Sequence, residues 1–169
     1  MSEPIVVGWR EWVAFPDLGL PAVRAKVDTG AATSAIHAHA IEPFERDGAP
    51  WARFVVHPFF RRHRRVTVHC EAPVVDERTV TSSSGHADTR LVVEVRLRLG
   101  VRVGLPEWPV EVSLADRRTM SFPMLLGREA MVGRVLVDPG ASYRLGTVEH
   151  AADLYEAVGD EAGRRERHT

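Results

Sequence analysis

The apolar positions of this chain recur mostly with a period of two. Between Pro21 and Val27, the residues Val23, Ala25 and Val27 alternate with Arg24 and Lys26. That period puts successive side chains on opposite faces of a strand, one dry and one wet. The same alternation runs through Val93, Val95, Leu97 and Leu99, and again from Trp108 to Leu114. Pro109 lies inside the latter run and predicts an edge strand, because proline has no N–H to give to a ladder. Shorter runs at Ile5–Val7, Trp12–Phe15, Trp51–His57, Val66–Cys70, Phe122–Leu126 and Gly133–Val137 read as further strands. Pro16–Gly19 reads as a turn. Ile41–Pro50 reads as a loop, because it holds Pro43, Asp47-Gly48 and Pro50. Two strand-like arms, Arg78–Thr81 and Thr89–Val93, flank a Ser/Gly-rich tip at Ser82–Asp88 and predict a hairpin. Helical periodicity is confined to Glu129–Val132 and to a charged stretch, His150–Arg167. Many short strands at turn spacing predict an all-β fold. No repeat or linker breaks the pattern, so 1–149 reads as one domain and 150–169 as a charged C-terminal helix or tail.

Composition narrows this picture. A chain of 169 residues, 44% hydrophobic and 27% charged, is long enough to bury a core and ordinary enough to be soluble. The formal net charge of −1 argues against a dedicated nucleic-acid binder. The run Arg61-Arg62-His63-Arg64-Arg65 reads as a solvated turn. The single cysteine, Cys70, excludes an intramolecular disulfide and a cysteine zinc cage. No apolar run approaches the roughly 20 residues of a membrane helix. The first residues carry neither a basic nor a long apolar signal segment. A cytoplasmic location is the resulting expectation.

The stretch Lys26-Val27-Asp28-Thr29-Gly30-Ala31 carries the candidate chemistry. It ends a half-buried strand on an acid, a hydroxyl and a glycine. Peptide hydrolysis by carboxylates needs two of them. One takes a proton from water while the other gives a proton to the carbonyl oxygen, and two carboxyls about 3 Å apart share one proton. The chain has one Asp-Thr-Gly; Asp138-Pro139-Gly140 lacks the hydroxyl and the strand context. The second carboxylate therefore has to come from another chain, and a twofold dimer brings Asp28 to Asp28.

Asp28-Thr29-Gly30-Ala31, followed at a distance by Leu125-Leu126-Gly127-Arg128, resembles the paired signature of retropepsin-like aspartic proteases. With Gly8-Trp9-Arg10-Glu11-Trp12-Val13, Thr33-Ser34-Ala35, Ser83-Ser84-Gly85-His86 and Met124, it more closely resembles a bacterial family known as ATP-dependent zinc proteases. That family is retropepsin-like and linked to RimK-type ATP-grasp glutamate ligases. The resemblance implies a closed, barrel-like acid-protease fold with a flap hairpin and a short C-terminal helix. It implies catalysis by Asp28, Thr29 and Gly30 in a homodimer, with Thr29 bonding across the dyad. Ala31, Ser83, Ser84, Gly85 and His86 then contact substrate, and the Gly30 carbonyl receives a substrate N–H. Leu125, Leu126, Gly127 and Arg128 support the Asp28 loop from below. The implied substrate is a peptide or protein, with glutamate-rich tails as the target that the ligase link points to.

The sequence departs from viral retropepsins after Asp28. They carry an acid there that pairs with the arginine; this chain has Ala32 and Thr33. Arg128 needs another partner, with Glu129 or a residue of the second chain as candidates. Two other readings compete. One is a zinc peptidase using His37 and His39, with a further histidine such as His57 as third ligand. No His-Glu-x-x-His occurs, and no nucleotide-binding glycine motif supports an ATP cofactor, so the expectation is no cofactor. The other is a non-catalytic retropepsin-like dimerisation or adaptor domain.

Overall fold

The computed structural model describes residues 3–59, 66–81, 84–116 and 121–156. The strands are β1 (Ile5–Val7), β2 (Arg10–Phe15), β3 (Leu20–Asp28), β4 (Ser34–His37), β5 (His39–Arg46) and β6 (Ala49–Val56), followed by β7 (Val68–Thr81), β8 (Ala87–Leu99), β9 (Glu107–Ala115), β10 (Met124–Gly127) and β11 (Val135–Val137). Short 3-10 turns follow β2 at Pro16–Leu18 and β10 at Arg128–Ala130. Residues 151–156 are helical. The fold is all-β. Among the described residues no helix is long and apolar enough to cross a membrane.

The main sheet runs in the order β2-β3-β10-β4-β9-β8-β7-β6-β5, and β2 also pairs with β8. That extra pairing, Val13↔Leu99 and Ala14↔Arg98, closes six strands into a ring. The alternation seen in the sequence fills it. Val13, Phe15, Leu20, Ile36, Leu97, Leu99, Leu114, Met124 and Leu126 are fully buried, while Glu94 and Arg96 of β8 face out. β7 adds to the ring's β8 as one long strand. It pairs with β6 over Val68–Pro73 and with β8 from Val74 onward. Pro73 sits at that hand-over, and an irregularity between Val74 and Asp76 lets the strand bend. The Tyr155 hydroxyl donates to the Ala22 carbonyl and fastens the terminal helix to β3.

Two expectations fail. Ile41–Pro50 is not a loop but most of the β5–β6 hairpin, turning at Asp47 and Gly48 with φ of 53° and 78°. Both central residues are left-handed, as the favoured two-residue hairpin turn requires. β5 is almost wholly exposed, so no apolar alternation marked it, and as the last strand of the sheet it tolerates Pro43. β9 is not an edge strand, because it lies between β4 and β8. β4 covers only Val112–Ala115, so Pro109 sits on the half of β9 whose far side β4 leaves open. The basic run 61–65 falls outside the described residues.

Candidate active site

β3 and β4 follow one another in sequence yet do not pair. β10 lies between them, parallel to β3 and antiparallel to β4. Its register sets Leu125 beside Lys26, Leu126 beside Val27 and Gly127 beside Asp28. The chain from Thr29 to Thr33 must therefore arch over the end of β10. Asp28 sits half-buried at the start of that arch, and Thr29 and Gly30 are exposed. Asp28 folds the turn on itself: the Gly30 N–H donates to its Oδ1 at 2.9 Å, and the Ala31 N–H to its carbonyl at 3.3 Å.

The end of β10 is stitched to the arch by backbone bonds. Arg128 N–H donates to the Ala31 carbonyl (2.8 Å) and Glu129 N–H to the Ala32 carbonyl (3.1 Å). The buried Ser34 hydroxyl accepts the Gly127 N–H at 3.0 Å. The Arg128 guanidinium reaches back to the Gly30 carbonyl at 3.1 Å. Within this chain, among the described residues, the Arg128 side chain meets this backbone oxygen and not Glu129. It also occupies one lone pair of the carbonyl that the resemblance assigned to substrate.

Arg78, which the sequence reading missed, joins the hairpin to this arch. From β7 its Nη1 donates to Thr33 Oγ1 at 3.0 Å. Its Nε and Nη2 go to Asp76 Oδ2 (2.8 Å) and Glu111 Oε2 (3.2 Å). The Arg78 bond and the adjacent Glu77 N–H hold the Asp76 carboxyl below its usual range. Glu11 was also missed as a support. It is fully buried, and its carboxylate accepts the N–H groups of Gly8 (2.7 Å), Arg144 (2.9 Å) and Leu145 (3.0 Å). It thereby fixes the start of β2, whose neighbour Trp9 accepts the Val27 N–H beside Asp28. The motif around Glu11 was visible; its long-range partners were not.

The structure thus brings Asp28, Thr29, Gly30 and Ala31 together with Leu125, Leu126, Gly127 and Arg128. Ser84, Gly85 and His86 stand exposed at the tip of the β7–β8 hairpin, while Ser83 lies outside the described residues. His37 and His39 sit on successive strands with ring centres 6.2 Å apart. His39 stacks on His57 at 4.6 Å, which presents ring faces to one another rather than converging nitrogens. Among the described residues no group of three or more His, Cys, Asp or Glu is placed to hold a metal. As placed, His37, His39 and His57 do not fit a three-ligand zinc site.

An Asp-Thr-Gly arch threaded by an apolar-apolar-Gly-Arg strand defines the retropepsin-like class. The chain belongs to the RimB-like family, described as the retropepsin-like aspartic endopeptidase RimB, which matches residues 6–146. It is 50% identical over 158 residues to a protein of Parasynechococcus marenigrum named "Probable alpha-L-glutamate ligase", covering 94% of this chain and 32% of that protein. A Desulfotalea psychrophila protein of the same name is 47% identical over 151 residues, covering 88% and 32%. The chain thus spans about a third of the length of these relatives. The crystal structure of a Legionella pneumophila protein of unknown function matches with a TM-score of 0.67 at 26% identity, covering 85% of this chain and all of that one.

Proposed function

We propose that this chain is a hydrolase of peptide bonds that works as a homodimer, with one Asp28 from each subunit. The observation that carries this reading is the Asp28 arch itself, held over Gly127 and clasped by Arg128 through the Gly30 carbonyl. Within the dyad, one carboxylate takes a proton from water and the other gives its proton to the scissile carbonyl oxygen. Water oxygen bonds to carbon, the C–N bond then breaks, and the amine leaves with a proton. Exposed apolar residues beside a two-stranded sheet support the dimer reading. Among the described residues β1 and β11 pair with no other strand, and Val6, Val132 and Leu136 stand 36%, 73% and 57% exposed beside them. Free strand edges of this kind accept strands from a partner.

The relatives named as glutamate ligases support a substrate of the same chemistry, a protein tail carrying added glutamates, and a functional link to such a ligase. The test is incubation with a protein bearing a C-terminal run of glutamates, read by mass spectrometry alongside sedimentation. The expected result is a dimer that shortens the tail, with Asp28→Asn slowed about 10³-fold or more at unchanged fold. Shortening by Asp28→Asn at the native rate, or by a strict monomer, overturns the aspartic dyad.

A further inference from the structure

Arg24, Lys26 and Asp28 occupy alternate positions of β3, on the face opposite the buried Val23, Ala25 and Val27. Arg10 of β2 stands directly across from Lys26. Two like charges opposed on neighbouring strands repel. Among the described residues neither they nor Arg24 has a carboxylate partner. Several other cations of this nearly neutral chain meet acids: Arg53 faces Glu71, Arg78 faces Asp76 and Glu111, and Arg98 faces Glu107.

Aromatic rings hold this cationic face in place. The Arg10 guanidinium lies between Trp9 (4.6 Å) and Tyr143 (4.9 Å), and that of Arg24 lies over Phe122 at 4.9 Å. Trp9 meets Phe122 edge-on at 5.9 Å, which joins the two stacks. The Arg10 Nε also donates to Ser142 Oγ at 3.3 Å, and stacking fixes a guanidinium plane while leaving its remaining N–H groups to meet a planar anion. The Arg24 Nε is buried and has no hydrogen-bond partner.

We infer that Arg10, Arg24 and Lys26 form a carboxylate-binding face that receives the side chains of an acidic peptide and leads it to Asp28. The inference rests on the hydrolase reading above, whose substrate class it assigns to particular residues. Spacing favours a peptide over a compact anion. Arg24 and Lys26 are two residues apart on a strand, about 7 Å, and alternate side chains of an extended peptide repeat at the same interval. The face also ends on Asp28, where a peptide, rather than a nucleic acid, finds its bond to be cut. Leu125, half-buried and in register with Lys26, supplies apolar cover for the methylenes of a glutamate.

The test measures binding, separately from cleavage. A labelled penta-α-glutamate peptide is titrated by anisotropy into the full chain carrying Asp28→Asn, with penta-glutamine and oligouridylate as comparisons. The glutamate peptide is expected to bind and to weaken as salt rises; penta-glutamine is not. Arg24→Gln and Lys26→Gln should each weaken binding roughly fivefold and together about 25-fold, while Lys26→Arg keeps it. Lys26 is exposed, so Lys26→Gln with an unchanged melting midpoint guards against misfolding as the cause. Equal binding by the double variant overturns the inference. So does equal binding of penta-glutamine, or tighter binding of oligouridylate through the same residues. If the unsubstituted chain binds the glutamate peptide through this face yet leaves it intact, the face stands and the hydrolase reading falls.

Discussion

Gly127 lies beside Asp28 in the parallel register of β3 and β10, with no room for a side chain. A β-carbon there would stand 2.7 Å from the carbonyl carbon of Thr33, 2.8 Å from its oxygen and 2.9 Å from the Ala32 oxygen. All three atoms belong to the arch that carries Asp28, and backbone cannot swing aside as a side-chain tip can. Gly127→Ala is expected to cost about 1–3 kcal/mol of stability and to displace the arch. Urea unfolding measures the first effect. Hydrolysis lost well beyond the unfolded fraction measures the second. Native stability in Gly127→Ala would show that the arch yields more easily than this geometry states.

Arg78 is expected to act on the arch from a distance. Arg78→Met keeps much of the stem but removes the bonds to Thr33, Asp76 and Glu111. Faster amide hydrogen exchange at residues 29–33, with the ring strands still protected, is the expected signature. A higher KM should accompany it, because the hairpin and the arch no longer move as one. Unchanged exchange in the arch would confine Arg78 to a surface charge network.

Glu11 makes a separate prediction about folding. Its Oε2 accepts two backbone N–H groups and its Oε1 one, in a fully buried place. Glu11→Gln exchanges one acceptor for a donor that must face an N–H. The expected loss is about 1–3 kcal/mol, read from denaturant midpoints. A variant as stable as the parent would mean that the 141–146 segment can find other acceptors.

Alkali should weaken the fold through two buried groups. Burial pushes the Cys70 thiol from 9.0 up to about 12, and burial also raises the Tyr155 hydroxyl. Both are neutral acids whose folded values lie above the unfolded ones. The thiol's contribution is therefore fully present below about pH 9 and is lost as pH climbs toward 12, while the hydroxyl's is fully present below about pH 10 and is lost above it. Each group accounts for up to about 1.4 kcal/mol per pH unit in that window. Urea midpoints at pH 8, 10 and 11 should fall, and Cys70→Ala should flatten the decline. Identical slopes for parent and Cys70→Ala would remove the thiol from this account.

Much of the sheet was legible because burial on one face leaves a period of two. Strands β3, β8 and β9 announced themselves through Val23, Ala25 and Val27, through Val93 to Leu99, and through Val110 to Leu114. β5 did not, since a strand exposed on both faces needs no apolar alternation. Its hairpin was encoded only in Asp47-Gly48, a signal outweighed by two prolines. Pro109 misled for a related reason. The edge rule holds for the part of a strand that has a neighbour, and β4 is shorter than β9. At the site, the two halves of the signature could be read. The clasp between Arg128 and the Gly30 carbonyl could not, because it joins residues 98 positions apart through a backbone atom that carries no sequence identity.

The sequence by itself determined that this is an all-β chain, that Asp28 ends an amphipathic strand, and that an apolar-Gly-Arg segment pairs with it in a retropepsin-like signature. Those features are local, fixed by side-chain periodicity and by the few residues that tolerate a sharp turn. Only the tertiary structure decided that β10 passes between β3 and β4, that Arg78 and Glu11 brace the arch, and that Arg10, Arg24 and Lys26 share one face with no acid among the described residues to answer them. Each depends on which distant backbone oxygen or side chain arrives within about 3 Å for a hydrogen bond, or about 6 Å for a ring. That is a property of strand order and register rather than of any one stretch of chain.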